Sequence, residues 1–569
     1  ADDYRGIGYN PQTETFYTVE DDGFVQAYTV ADTITSYYQC QVEHTSVNFA
    51  NQLALGYWTE RFPNKIEFFE SAFNKRKGFP HSVAIYESRL CFGGTDSNPN
   101  TLWLSKSNDL NNFSIGVNAT DSMRLTINSN TIDEIKWLCP SSDLVIGTSA
   151  NEWSLGSGSD QLAVTPTQFN IKRQSNYGSN IQQGLLVNAS VLFLMRQGTT
   201  LREWIDQNTK SLFLASDLTQ LADHILTGGV HQIVLQTETI IWAVRNDGTL
   251  LGLTYEKESD TFGWHRHTFK NANGVLQTVE SVSVLPTATG EDKVYLILKK
   301  ADNERCYVCM DSREWGTNHI TEYNGLDNYV TYTNFTGSTL GSHTINSAVS
   351  SASNFVTLVF AQPHNLSVGD YFTLASLGSS NTDPNGEQSV SEVVSPTSIK
   401  FNLTVGTGET YTHGSATCFD HRLKHLANDT VTFKIDGATV STAQVNNTNY
   451  SLLVGSQSSV NLVVGQTYTS TLAPMYLDVV TEQGSSRGSK KPIQNATIRF
   501  KDTLSAKVGQ SELAADLDVV KFTSTSALNT EDAEVWLSNA NEFLQTIYII
   551  QDEPQPCTVL GMIPRVGVL

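Results

Sequence analysis

"HQIVLQTETIIWAVRNDGTLLGLTYEKESDTFGWHRH", residues 231–267, contains three apolar runs separated by polar turns and ends on a tryptophan followed by two histidines. The runs are rich in β-branched and aromatic residues, and Asn246-Asp247-Gly248 is a hairpin turn signal, so the stretch reads as consecutive antiparallel strands. The same pattern recurs four more times, in "VAIYESRLCFGGTDSNPNTLWLSKS", "EIKWLCPSSDLVIGTSANEWSLGS", "GLLVNASVLFLMRQGTTLREWID" and "SVSVLPTATGEDKVYLILKKADNERCYVCM". Taking Leu90, Leu144, Leu192, Ile241 and Val294 as anchors, the steps are 54, 48, 49 and 53 residues. A period of roughly fifty residues with three or four strands per unit is the mark of a β-propeller blade. The expected fold is therefore all-β, a β-propeller of roughly 50-residue blades carrying inserted small β-domains.

Past Trp315 the period is lost and the texture turns to Ser, Thr, Asn and Gly. Propeller blades are assigned to 1–320, because "IGYNPQTETFYTVEDDGFVQAYTV" also has a hairpin look and reads as part of a further blade. An inserted β-module is expected over 321–420, with turns at Asn365 and Gly369-Asp370, and a second small domain over 421–480. A propeller has to close its ring, so the strands of 481–569 are expected to return to it.

At 569 residues the chain is too long for one core, and 17% charged residues give it a neutral, polar surface. The net charge of −22 provides no general attraction for phosphate backbones. Seven scattered cysteines read as reduced thiols, as in a protein folded in a cytoplasm. No run of eighteen apolar residues and no signal peptide is visible, so a soluble chain is expected. The start lacks Met and falls inside a strand pattern, as in a trimmed piece.

Four stretches carry a resemblance: "GFPHSVAIYESRLCFGGTDSNPNTLWLSKSNDLNNF" (78–113), "NDGTLLGLTYEKESDTFGWHRH" (246–267), "LKHLANDTVTFKIDGATV" (423–440) and "QDEPQPCTVLGMIPRV" (551–566). Through them the chain resembles the nozzle proteins, or tail tubular proteins B, of short-tailed bacteriophages. "PHNLSVGDYFTL" is similar to a small β-module of phage tail proteins. The resemblance implies a homo-hexameric ring at the distal end of a virion tail, assembled in the host bacterial cytoplasm. It implies an adaptor ring of the tail tubular protein A type above it, tail fibres or spikes beside it, and genomic DNA passing through without sequence readout. It implies no catalytic residue and no cofactor. Family members carry further N-terminal sequence that this chain has only in part, so the first blade is expected to be incomplete.

Among candidate sites, His265 and His267 share one strand face and Trp264 and Arg266 the other, so a zinc site would need His224 or His231 as a third ligand. The plainer reading makes them structural polar residues. Cys306 and Cys309 form a lone CxxC whose thiols face opposite sides of a strand. "TDPNGE" (382–387) resembles a glycosidase nucleophile run but reads fully as a turn. Asp133-Glu134 and Glu291-Asp292 are expected to be solvated pairs at strand entrances, and "GSGSDQ" (156–161) lacks the residues a phosphate loop needs. Arg487, Lys490 and Lys491, in "SSRGSKKP", form a basic loop that is either solvated or in contact with DNA or a neighbouring ring. The expected function is a structural conduit and gate for DNA ejection, whose excess carboxylate repels phosphates over a screening length of about 8 Å. The alternative is a propeller adhesin or glycoside hydrolase acting on host glycans.

Overall fold

The computed structural model describes five N-terminal strands between Ile7 and Arg61. From Phe73 to Val566 it describes the chain except at 76, 132, 158–162, 206–213, 237–238, 259–260, 271–274, 288–290, 301–302, 311–322, 352–353, 405–408, 414, 477–479, 482–483, 486–491, 514–515 and 538–545. The N-terminal strands, Ile7–Asn10, Thr15–Val19, Phe24–Thr29, Ile34–Cys40 and Trp58–Arg61, form one antiparallel sheet in chain order. They belong to a compact unit of their own, made of residues 1–80 and 95–98.

The second unit opens with five four-stranded antiparallel sheets, each in chain order. Blade A comprises Ser82–Tyr86, Arg89–Gly93, Thr101–Leu104 and Met123–Thr126. Blade B comprises Ile135–Pro140, Leu144–Thr148, Glu152–Gly156 and Asn170–Ser175. Blade C comprises Leu185–Val187, Ser190–Leu194, Leu201–Ile205 and Leu214–Asp217. Blade D comprises Val230–Gln236, Ile240–Arg245, Leu250–Glu256 and Thr261–His267. Blade E comprises Phe269–Lys270, Leu276–Leu285, Lys293–Lys299 and Arg305–Cys309. Four of the five sequence anchors lie on second strands. In blade E the two-residue strand Phe269–Lys270 precedes the set, so Val294 falls on the third.

These sheets pack face to face as propeller blades do, because each core is shared by two successive sheets. Alternate residues of a strand point to opposite faces. In Leu144–Thr148, Leu144 and Ile146 enter a core with blade A, while Val145 enters a core with blade C. In Ser190–Leu194, Val191 and Phe193 face blade B, and Leu192 and Leu194 face blade D. In Ile240–Arg245, Ile241 and Ala243 face blade C, while Ile240, Trp242 and Val244 face blade E. Burial on both faces explains why these strands read as unbroken apolar runs. Side chains also clamp neighbours, since Gln232 Nε2 of blade D donates to Val282 O of blade E at 2.8 Å and Val282 N donates back to Gln232 Oε1 at 3.0 Å.

After the blades come three bodies with separate cores. Ser342–Ser351, Phe355–Phe360, Tyr371–Ala375, Gly386–Ser395, Ser398–Asn402 and Thr417–Asp420 close a small barrel around Phe372, Phe401, Leu358 and Ile399. Asn365 (φ 54°) and Gly369 (φ 94°) occupy left-handed turn positions there. The second domain is a sheet of Asp327–Leu340, Leu452–Gln466, Thr430–Ile435 and Ala438–Gln444. The sequence reading places 327–340 in the first module. The structure puts it in the second domain, because Tyr332 and Leu340 enter that domain's core and the strand pairs with Leu452–Gln466. The barrel is thus an insertion within the second domain. At the C-terminus, Asp532–Trp536, Ile493–Lys501 and Thr558–Val566 form one sheet, and Ser470–Leu472, Tyr548–Gln551, Lys507–Gly509 and Leu517–Val519 another. Residues 493–566 pack a core of their own, and none of these described strands adds to a blade sheet, whereas the sequence reading returns 481–569 to the propeller.

Candidate functional site

The histidines of "GWHRH" lie on the fourth strand of blade D, opposite Leu250–Glu256, with His265 paired to Gly252. Glycine is required there, because a Cβ on residue 252 would stand 2.0 Å from His265 Cε1. Blade B uses the same device, with the Trp137 ring lying 2.1 Å from where a Cβ on its partner Gly147 would be. His265 Nδ1 and His267 Nε2 are 2.7 Å apart, so one ring donates to the other, and both meet Trp242 edge-on. Burial, helped by the charge on His265, pushes the His267 imidazole down to about 4. On the opposite face Trp264 Nε1 donates to Leu218 O at 2.9 Å. Of the proposed third ligands, His231 bonds Glu280 O at 3.2 Å and His224 is exposed beside Asp223. Among the described residues, no three His, Cys, Asp or Glu side chains gather at metal-binding separation.

The polar groups with the most partners lie between strands and blades, and the sequence reading missed most of them. Glu203 of blade C is 4% exposed, and its Oε1 accepts from Tyr255 Oη of blade D (2.7 Å), Lys257 Nζ (2.7 Å) and Ser190 Oγ (2.9 Å). Burial by itself raises this carboxyl, but the bonds from Lys257, Tyr255 and Ser190 outweigh it and hold it below its ordinary value. Ser190 also accepts from Lys257 Nζ at 2.9 Å, a serine–lysine pair in form. Ser190 is 1% exposed, however, so no substrate carbonyl can reach its hydroxyl in this conformation. Glu152 is likewise buried and accepts from Ser175 and Ser179, with burial raising its carboxyl. Asp133 corrects the expectation of a solvated pair. It is 2% exposed and accepts from Asn151 Nδ2, Trp153 Nε1 and Thr131 Oγ1, since buried carboxylates need such donors. Its neighbour Glu134 is partly exposed and paired with Lys136 at 2.8 Å. Glu291 accepts from Gln236 Nε2 at 3.2 Å.

Cys306 and Cys309 lie three apart on an extended strand and alternate in exposure, as expected of thiols on opposite faces. Asp383 caps its own turn, accepting from Asn385 N at 3.0 Å and Asn385 Nδ2 at 2.7 Å. Of "GSGSDQ", Gly156 ends a strand and 158–161 lie outside the described residues. Arg487, Lys490 and Lys491 also lie outside the described residues.

Where the barrel joins the second domain, Asp420 is fully buried and accepts from His343 Nε2 (3.0 Å) and Arg422 Nη2 (3.3 Å). Burial would raise the Asp420 carboxyl, but His343 and Arg422 hold it low. The Arg422 guanidinium stacks 3.9 Å over Tyr332, and a cavity of about 270 Å³ bordered by Tyr332, Phe335, Ser338, His343 and Asn365 opens beside it. These buried charges hold strands and bodies together.

No protein-family model and no curated protein matches the chain. Among solved structures it is similar to the β-propeller domain of Cps50 (Swd1) from Myceliophteria thermophila, at 8% identity over 55% of this chain and 88% of that one, with a TM-score of 0.26. It is also similar to the WD40 repeats of RRP9, at 10% identity over 70% and 93%, with a TM-score of 0.25. A third is the complex of fission yeast SREBP–SCAP binding domains, at 11% identity over 56% and 75%, with a TM-score of 0.28. The propeller assignment stands on the five sheets and their shared cores.

Proposed function

We propose that this chain is a structural ring subunit, a nozzle-type protein at the distal end of a phage tail that forms and gates the passage for DNA. The observation that carries the reading is how its buried carboxylates are held. Glu203, Glu152, Asp133 and Asp420 are buried and held by donors from their own chain, as suits a scaffold. Two of the four stretches that resemble nozzle proteins also supply internal contacts. Arg89 in 78–113 donates to the carbonyls of Ser105, Ala119 and Asp121, and His265 and His267 pack the end of 246–267. The net charge of −22 suits a wall along which DNA slides without adhering. Such a subunit closes its ring by two different complementary faces repeated by rotation.

Electron cryomicroscopy of the virion tests the reading. Six copies around an axial channel below an adaptor ring are expected. Copies confined to lateral fibres, or a purified chain that releases sugar from host polysaccharide, would replace the conduit with the adhesin or hydrolase.

A further inference from the structure

Lys434 lies on the strand Thr430–Ile435 of the second domain and is 1% exposed. Its Nζ donates to Tyr323 O (2.8 Å), Asn324 O (3.1 Å) and Pro554 O (2.8 Å). Three carbonyls match the three protons of an ammonium, which without them would be a buried charge left unpaired. The Tyr323 ring stands 5.4 Å from the same nitrogen. Burial lowers the amine to about 8.

The acceptors come from two distant parts of the chain. Tyr323 and Asn324 lie just ahead of Asp327–Leu340, the second domain's first strand, and Pro554 lies in the loop between the C-terminal strands Tyr548–Gln551 and Thr558–Val566. Gly325, at φ 63°, lets the two segments approach, since a Cβ there would lie 3.1 Å from Pro554 O. A second tie leads back to the propeller. Lys300, next to the blade E strand Lys293–Lys299, donates to His425 O at 2.8 Å, and His425 Nε2 meets Asn328 O at 2.8 Å.

We infer that Lys434 is a latch: its ammonium fastens the C-terminal body to the second domain beside the segment that enters that domain. Lys300, through His425, ties the same entering segment, at Asn328, to blade E. Two of the stretches that resemble nozzle proteins, 423–440 and 551–566, meet at this one nitrogen.

Hydrogen exchange with mass-spectrometric readout on the full chain tests the latch without reference to any virion, so its failure is separable from that of the conduit reading. Lys434→Met keeps the length and burial but removes the three bonds. The latch predicts exchange at least about tenfold faster in 323–329 and 551–557, with the core strands Ile493–Lys501 and Leu452–Gln466 unchanged. Unchanged exchange in 551–557 overturns it. If Lys434→Met fails to fold, Gly325→Ala perturbs the same joint from the other side and is expected to loosen the same two segments. Exchange that rises evenly across both bodies, or not at all, in Gly325→Ala overturns the latch as well.

Discussion

The blades and the three bodies after them are built from similar strands but divide their cores differently. In the blades one strand serves two cores, as Ile240–Arg245 does toward blades C and E. In the barrel the buried apolar side chains gather in one interior, centred on Phe372 and Phe401. A defect in a blade core is therefore felt by two neighbours, whereas a defect in the barrel stays there. The first arrangement makes a stiff array, and the second makes separable parts joined at a few polar contacts.

The largest effect that can break this contrast comes from core truncation. Trp137→Ala in the core between blades B and C and Phe372→Ala in the barrel should each cost about 3–5 kcal/mol. Calorimetry should show Trp137→Ala lowering the main transition of the blades, and Phe372→Ala splitting off an early transition of the barrel alone. Next, Tyr255→Phe removes a bond to a buried carboxylate between blades C and D and should cost about 1.5–3 kcal/mol by urea unfolding. A cost near zero would mean that Glu203 does not link the blades. Gly252→Ala forces His265 off its partner strand, a steric cost of about 1–3 kcal/mol read as a lower melting temperature.

The smallest effect is one of pH, and it has opposite signs at His267 and Asp327. His267 sits near 4 when folded, below its ordinary value of 6.5, so the unfolded chain takes up the proton first and the blades lose stability as pH falls from 6.5 toward 4. Burial raises Asp327 of the second domain from 3.8 to about 6, so there the folded chain takes up the proton first. Its contribution is full below 3.8 and is lost as pH rises through about 6. Asp327→Asn should remove this contribution, read as a difference in melting temperature between variant and parent that changes as pH rises through about 6.

The blade period was legible because a doubly buried strand leaves an unbroken apolar run such as "IIWAV", and turns such as Asn246-Asp247-Gly248 punctuate it. The nesting of the barrel was not legible, since the pairing of Asp327–Leu340 with Leu452–Gln466 spans more than a hundred residues and leaves no local mark. Asp133 read as solvated because its donors, Asn151 and Trp153, lie just before and at the start of a later strand. The same holds for Glu203, whose partners Tyr255 and Lys257 belong to the next repeat or lie just past its third strand. A carboxylate in the middle of an apolar strand, as in "LREWI", was the available sign.

The most direct test of shared against separate cores is native-state hydrogen exchange across the full chain in Trp137→Ala and Phe372→Ala. The account predicts that Trp137→Ala raises exchange in Leu144–Thr148 and Ser190–Leu194 together, while Phe372→Ala raises it only within the barrel strands from Ser342 to Asp420. Exchange confined to blade B in the first variant, or spreading into the blades in the second, would contradict it.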